Sequence, residues 1–155
     1  MTVSWTDWTS SDSFSANGDL LVGSTTVGVG YSATGAHSFV TTGAGTNFWT
    51  GAAYTNGTVD NAPPASDIIA LNVGGTVTVT FAQTIVDPYI GLVSWNGNTV
   101  DFGVPIEIDS FGSGFWGSGV LGFWGSGVLG FWGSGVLGFW HTHPEWIGNG
   151  ILRFR

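Results

Sequence analysis

The sequence predicts an all-β chain, an antiparallel β-sandwich of jelly-roll type that forms a single domain over residues 1–155. Three observations lead to this prediction. Short apolar runs alternate at period two, and Gly-rich turns separate them at intervals of about 8–12 residues. No stretch repeats its apolar residues at the 3.6-residue period of a helix. A Gly- and Trp-rich repeat segment interrupts the pattern near the carboxyl end.

The first strands follow one another closely. Residues 20–22 and 26–31 are predicted strands joined by a turn near Gly23-Ser24. Residues 37–40 and 47–49 are short aromatic runs between Gly-rich turns. Residues 54–67 contain two adjacent prolines and several turn-forming residues, so they form the longest loop.

A second group of strands lies beyond this loop. Residues 76–81 alternate threonine with an apolar residue, as a half-solvated antiparallel strand does. We predict that Val77, Val79 and Phe81 are buried on one face, as are Leu92 and Trp95 further along, while Thr78 and Thr80 point to the other side.

A hairpin is predicted next. Residues 89–95 and 99–102 flank Asn96-Gly97, a dipeptide that favours the positive φ angles of a tight turn, so we expect these two strands to pair. Residues 104–108 alternate again, and Pro105 places them at a strand start or a sheet edge.

The charge balance restricts the partners. The chain contains ten acidic residues and two basic ones, Arg153 and Arg155, which gives a net charge of −8. Nucleic acid and anionic lipid are therefore not expected as partners. Residues 110–140 carry no charge, but their many glycines disfavour a helix, so we expect no membrane span. The polar and aromatic start does not resemble a signal peptide, which predicts a mature form if the protein is exported.

The repeat consists of three identical copies of Phe-Trp-Gly-Ser-Gly-Val-Leu-Gly over residues 115–138. Because eight is even, each residue of an extended copy keeps its face from one copy to the next. The copies could be meander strands separated by Gly-Ser-Gly turns. They could instead present an aromatic platform for sugar rings, formed by Trp116, Trp124, Trp132 and Trp140. A third hypothesis is self-association through Phe115, Val120, Leu121, Phe123, Val128, Leu129 and Phe131.

Candidate chemistry is sparse. His141 and His143 share a strand face and could both reach one Zn²⁺ or Cu²⁺, with Glu145 as a further candidate ligand. Two histidines alone do not make a metal site. Five carboxylates could supply a glycosidase-type acid pair, although exposed surface carboxylates are the more common case. They are Asp60, Asp67, Asp101, Glu107 and Asp109. A Ca²⁺ site from Asp60, Asn61 and Asp67 is a further alternative. We expect no cofactor.

Several short motifs carry a family resemblance. Residues 5–9, 59–71, 93–97 and 111–117 resemble segments of secreted bacterial PEP-CTERM sorting-domain proteins, and the likeness covers roughly residues 1–117. The resemblance implies export and an association with biofilm and extracellular polysaccharide. The chain does not contain the Val-Pro-Glu-Pro sorting motif or the hydrophobic anchor helix of that family. Surface attachment is therefore not implied.

These features lead to a functional expectation. We expect a bacterial extracellular structural, matrix or adhesive module without catalytic activity, whose partners are extracellular polysaccharide or further copies of itself through the repeat. The first alternative is a carbohydrate-binding module that uses exposed tryptophans. The second is a metal-dependent hydrolase-like site at the two histidines.

Overall fold

The computed structural model of the chain describes residues 1–51, 54–55, 57–72, 74–93, 100–102, 104–112, 120–124, 128–130, 136–138, 146–147 and 149–154. The strands found in these residues are, in chain order, β1 (Asp7–Ser11), β2 (Ser15–Val22), β3 (Thr25–Ala33), β4 (His37–Thr41), β5 (Ile68–Leu71), β6 (Val77–Phe81), β7 (Tyr89–Leu92), β8 (Val100–Asp101), β9 (Ile106–Gly112), β10 (Val120–Trp124), β11 (Val128–Gly130), β12 (Val136–Gly138), β13 (Trp146–Ile147) and β14 (Asn149–Phe154).

The strands form four sheets. Their strand orders are β1-β2-β3-β6, β4-β5, β7-β14-β9 and β13-β12-β10-β11-β8. Among the described residues every pairing is antiparallel except that of β10 with β12, which is parallel. The predicted all-β class is confirmed, and the parallel pair is a departure from an all-antiparallel chain. The jelly-roll arrangement stays a prediction.

The chain divides into two compact units. The amino-terminal unit comprises Ser4–Phe48 and Pro63–Val86, and it contains β1 to β6. The carboxy-terminal unit comprises Met1–Val3, Trp49–Ala62 and Asp87–Arg155, and it contains β7 to β14. The single-domain organisation expected from the sequence stays a prediction beside this division.

The amino-terminal unit is organised around the β2–β3 hairpin. Val22 lies opposite Thr25, so the turn consists of Gly23 and Ser24, as the sequence predicts. Gly23 has a φ of 63°, a conformation that suits glycine. One face of this hairpin, called here the inner face, carries buried side chains. They are Ala16, Val27, Val29 and Tyr31.

The burial predicted for β6 is wrong at Val77 and Val79, and Phe81 is half-buried rather than fully buried. Val79 lies opposite Tyr31 and Val77 opposite Ala33, so both belong to the inner face, yet their exposed fractions are 43% and 42%. The reason is the position of β6 at the end of the sheet order. An alternating pattern selects the face of a side chain, but a strand with one neighbour receives cover from one side.

The core of the carboxy-terminal unit surrounds β14, the middle strand of its sheet. Ile151 and Leu152 are consecutive and both fully buried, so this strand is covered on both faces. Tyr54 and Val59, from the loop predicted over residues 54–67, are also fully buried. The loop contains no strand in its described residues, which agrees with the prediction.

The hairpin predicted across Asn96-Gly97 is not formed by the described strands. β7 pairs with β14, and β8 pairs with β11 in a different sheet. Asn-Gly reports a local turn preference, whereas these strands pair with partners distant in sequence. Leu92 is buried as predicted, whereas Trp95 lies outside the described residues. β9 begins immediately after Pro105 and lies at a sheet edge, as predicted.

Within the described ranges, no helix has both the length and the apolar character that are needed to cross a bilayer.

Candidate functional site

The residues singled out in the repeat are only partly described. Trp124, Val120, Leu121, Phe123, Val128 and Leu129 lie in β10 and β11. The others lie outside the described residues: Trp116, Trp132, Trp140, Phe115, Phe131, His141, His143 and Glu145. The aromatic platform and the zinc hypothesis therefore stay predictions.

The repeat strands pair like with like at both positions of the parallel pair and at one of the three positions of the antiparallel pair, where Phe123 lies opposite Leu129 and Trp124 opposite Val128. In the parallel pair, Val120 lies opposite Val136 and Leu121 opposite Leu137, which are equivalent residues two copies apart. In the antiparallel pair, Gly122 lies opposite Gly130, the same residue in the next copy. The three strands occupy the interior of the order β13-β12-β10-β11-β8. The copies thus act as neighbouring strands of one sheet, although the parallel pair is not a simple meander.

A more complete surface lies on the other sheet, in the amino-terminal unit. We call the face of β1-β2-β3-β6 opposite the inner face the outer face. Asn17, Gly30 and Thr80 form one row across three strands, because Asn17 lies opposite Gly30 and Gly30 opposite Thr80. Asp19 and Gly28 form the next row. The outer face is therefore polar at its sides and has two glycines in its middle strand.

These two glycines form the floor of an open depression of about 500 Å³, called here the glycine trough. Its sides include Thr9, Asn17, Asp19 and Thr80. The Thr80 hydroxyl donates to the carbonyl oxygen of Gly30 at 3.3 Å, and a Cβ on Gly30 would lie 2.7 Å from that hydroxyl oxygen. Without side chains on the floor, the backbone of β3 is accessible to a ligand.

The trough has the chemistry of a hydrogen-bonding surface. The Asn17 amide can donate and accept, and the Asp19 carboxylate accepts. The Thr9 and Thr80 hydroxyls donate to the carbonyl oxygens of Asn17 and Gly30, so they can accept a hydrogen bond from a ligand. Asn17 and Asp19 are exposed, and neither side chain has a hydrogen-bond partner among the described residues. Asp7 lies directly opposite Asp19, so two carboxylates increase the negative potential at this end. The surface therefore suits neutral polar ligands better than anionic ones.

Three carboxylates that the sequence offers as acids or metal ligands have structural partners instead. Asp60 accepts hydrogen bonds from the amino terminus at 3.0 Å and from Thr2, and the first of these is the main reason that its pKa is lowered. Asp109 accepts from the amides of Thr58 and Val59 at 3.2 and 3.0 Å. Such bonds hold loop residues in place.

Asp67 is the buried carboxylate of the set, with an exposed fraction of 4%. Burial raises its pKa, and the nearby negative charge of Asp7 adds to this effect. The amide of Gly43 donates to Asp67 Oδ1 at 3.2 Å and acts in the opposite direction. The hydrogen bond from Gly43 therefore partly offsets the cost of burying the Asp67 carboxylate in the amino-terminal unit.

Metal ligands do not converge in the described part of the chain. No group of three or more His, Asp or Glu side chains there could hold an ion. Asp60 and Asn61 bind the amino-terminal residues, since Asn61 accepts from the amide of Val3 at 2.8 Å and donates to its carbonyl oxygen at 2.9 Å. Asp67 has the separate partners given above. The Ca²⁺ hypothesis for these three residues therefore receives no support.

Sequence reasoning did not identify the trough. Its signal was present in the alternation Val27-Gly28-Val29-Gly30, which places two glycines on one face of a strand. To predict that Asn17, Asp19 and Thr80 flank these glycines, the strand order must be known, and single strands do not reveal it.

Comparisons of the chain with protein-family models, with curated proteins and with solved structures found no match.

Proposed function

We propose that this chain is a non-catalytic extracellular adhesive or matrix module that binds neutral polysaccharide through the glycine trough. The observation that carries the proposal is the trough itself, an open polar surface with a backbone floor across the strands of one sheet. A glycan ring can lie against Gly28 and Gly30, while Asn17, Asp19 and Thr80 bind its hydroxyl groups. The proposed binding mode does not require the repeat tryptophans.

The environment of the carboxylates supports the non-catalytic part of the proposal. Hydrogen bonds from the amino terminus and Thr2 lower the pKa of Asp60, which leaves it poorly suited to donate a proton. The Asp109 carboxylate is occupied by the backbone amides of Thr58 and Val59. The extracellular part rests on the sequence motifs that resemble PEP-CTERM proteins, for example Val93-Ser94-Trp95-Asn96-Gly97. It is tested by fractionating the cells that produce the full-length protein.

A trough-filling variant tests the binding site. A Cβ on Gly28 would meet the Cβ of Ala82 at 3.7 Å, an ordinary contact, so Gly28→Val fills the trough without a backbone clash. The matched control is Thr26→Val, which makes the same residue on the same face of β3, outside the trough. Both variants place a β-branched residue in a strand, so both should fold.

The measurement is an NMR titration of the amide signals with neutral oligosaccharides derived from cellulose, chitin and mannan, and with anionic alginate fragments. We expect a neutral glycan to shift the Gly28 and Gly30 signals, and Gly28→Val to abolish the response while Thr26→Val retains it. Absence of shifts with every glycan, or an unchanged response in Gly28→Val, would contradict the proposal.

A second candidate function is self-assembly through the repeat. The like-with-like pairing of Val120 with Val136 and of Gly122 with Gly130 favours it, because identical segments that pair within a chain can also pair between chains. Deleting two octamers preserves the alternation of faces. The variant should lose higher-order species in sedimentation velocity, whereas identical sedimentation of variant and parent would argue against this function.

A further inference from the structure

β6 is one of the two edge strands of the four-stranded sheet, and the other is β1, which contains a charged residue, Asp7, and a bulge. Among the described residues β6 has β3 on one side and no strand on the other, which is its open edge. It consists of Val-Thr-Val-Thr-Phe and carries no charge, proline or bulge. Natural edge strands commonly carry such features because they prevent pairing with another chain. The properties of β6 are therefore those of a strand that can accept a partner.

The hydrogen bonds of β6 show which backbone groups are available. The amide of Thr34 donates to the carbonyl oxygen of Thr76 at 3.0 Å, and the amide of Ala82 donates to that of Gly28 at 2.9 Å. Both pairs fit the antiparallel β3–β6 register, in which bonded and non-bonded pairs alternate. Even-numbered residues from Thr76 to Ala82 therefore bond to β3. The amides and carbonyls of Val77, Val79 and Phe81 point away from it, toward the open edge.

Two of the three residues whose backbone groups point to the open edge also have exposed side chains. Val77 and Val79 belong to the inner face and are exposed by 42% and 43%. In an antiparallel pair, a strand that bonds to their outward amides and carbonyls places its own side chains on that same face. The complement of this edge is thus a strand with apolar residues at its bonded positions and polar residues between them.

We propose that the occupant of this edge is β6 of a second copy, paired antiparallel about a two-fold axis at Val79. This register pairs Val79 with its symmetry mate and Val77 with Phe81, all at outward-bonding positions. It also pairs Thr78 with Thr80 on the outer face. β6 is its own complement in both hydrogen bonding and polarity, which is the condition for an isologous interface.

Charge distribution favours a second copy at this place. Two copies with a net charge of −8 repel each other, but residues 68–86 contain no charged side chain. The open edge is therefore a surface at which like-charged chains can approach without opposing carboxylates. Pairing of five residues buries less than the roughly 1,200–2,000 Å² of a stable interface, so the dimer is weak and depends on concentration.

The dimer has a geometric consequence for the outer face. Joining two edges makes one continuous sheet of eight strands, in which the glycine troughs of both copies lie on the same face. Dimerisation does not require that the trough binds a glycan. If it does, two linked sites on one long polysaccharide give an affinity greater than that of either site.

The test uses a charge at the two-fold axis. Val79→Lys places two like charges opposite each other, and we expect the dimer dissociation constant in sedimentation equilibrium to rise by about tenfold or more. The control is Val22→Lys, which makes the same change at a 47% exposed valine on the same face, in the β2–β3 hairpin. This control should dimerise like the parent, and circular dichroism verifies that both variants fold.

A measurement on the parent keeps the test independent of the variants. Amide exchange of Val77, Val79 and Phe81 should slow as the protein concentration increases, while that of exposed Gly74 stays unchanged. A parent that remains monomeric at its highest soluble concentration would overturn the proposal. Equal dimerisation of Val79→Lys and the parent, or loss of the dimer only on deletion of the octamers, would also overturn it.

Discussion

The hydroxyl of Tyr54 donates a hydrogen bond to the carbonyl oxygen of Leu92 at 3.1 Å inside the carboxy-terminal unit. Tyr54 is fully buried, and its ring makes an edge contact with Trp49 at a centroid distance of 5.3 Å. The bond joins a loop residue to the edge strand β7, which has β14 as its strand partner. It therefore links two chain segments that lie 38 positions apart.

Removing this hydroxyl tests the link. Tyr54→Phe leaves the carbonyl of Leu92 without its donor, and the free energy of unfolding should fall by about 0.5–1.5 kcal/mol in urea denaturation. Tyr89→Phe is the control, because the Tyr89 hydroxyl has no hydrogen bond among the described residues. Equal losses in both variants would show that the Tyr54 bond contributes nothing particular.

The same tyrosine predicts a dependence on alkaline pH. Burial raises the pKa of Tyr54 above its usual value. Because the folded-state pKa is the higher one, this group stabilises the fold fully below the unfolded pKa of about 10, and its contribution is lost as pH rises beyond that value. The alkaline loss of stability should be smaller in Tyr54→Phe than in the parent. A loss of the same size in both would exclude Tyr54 as a cause.

Asp67 permits a prediction about a single titration. Since the charge of Asp7 helps to raise the pKa of Asp67, Asp7→Asn should lower that pKa in a carbon-13 NMR titration. Asp19→Asn removes a charge from the residue opposite Asp7 and should leave the pKa of Asp67 unchanged. The contribution of Asp67 to stability is complete below its unfolded pKa of about 3.9 and is lost as pH rises through the raised folded value.

Two glycines of the same hairpin should respond with opposite signs to alanine. A Cβ on Gly18 would lie 2.5 Å from the carbonyl oxygen of Asp7, so Gly18→Ala should lower the free energy of unfolding by about 1–3 kcal/mol. Gly28 has room for a methyl group, and Gly28→Ala should raise it by about 0.5–1 kcal/mol. Chemical denaturation measures both. A Gly18→Ala variant as stable as the parent would contradict the register of β1 and β2, and a destabilised Gly28→Ala would contradict the free space at Gly28.

Val29 and Val79 lie on the same inner face but differ in burial, and a valine-to-threonine substitution at each of them tests this difference. Val29 is 4% exposed, and Val29→Thr buries a hydroxyl, so stability should fall by about 1–3 kcal/mol. Val79→Thr, at an exposed position, should change it by less than about 0.5 kcal/mol. Similar losses at the two sites would mean that a cover over β6 hides Val79.

The sequence alone determined the features of this protein that depend on local physics. The period-two alternation predicts β6, Gly23-Ser24 predicts the β2–β3 turn, and Pro105 predicts the start of β9, whereas β1 and β5 were not predicted. The like-with-like pairing in the repeat was not predicted, although identical copies of even length permit it. Each correct prediction concerns a preference that neighbouring residues express without the rest of the chain.

Tertiary structure alone decided which strands pair and which sides receive cover. Asn96-Gly97 favours a tight turn, yet β7 pairs with β14, some sixty positions away, and the strand of Val77 and Val79 lies at an edge. The glycine trough likewise exists because β3 places Gly28 and Gly30 between β2 and β6. The physical reason is that burial and site geometry depend on which strands pair. Each strand can pair with several others, and the pairing of lowest free energy depends on the whole chain rather than on any one segment.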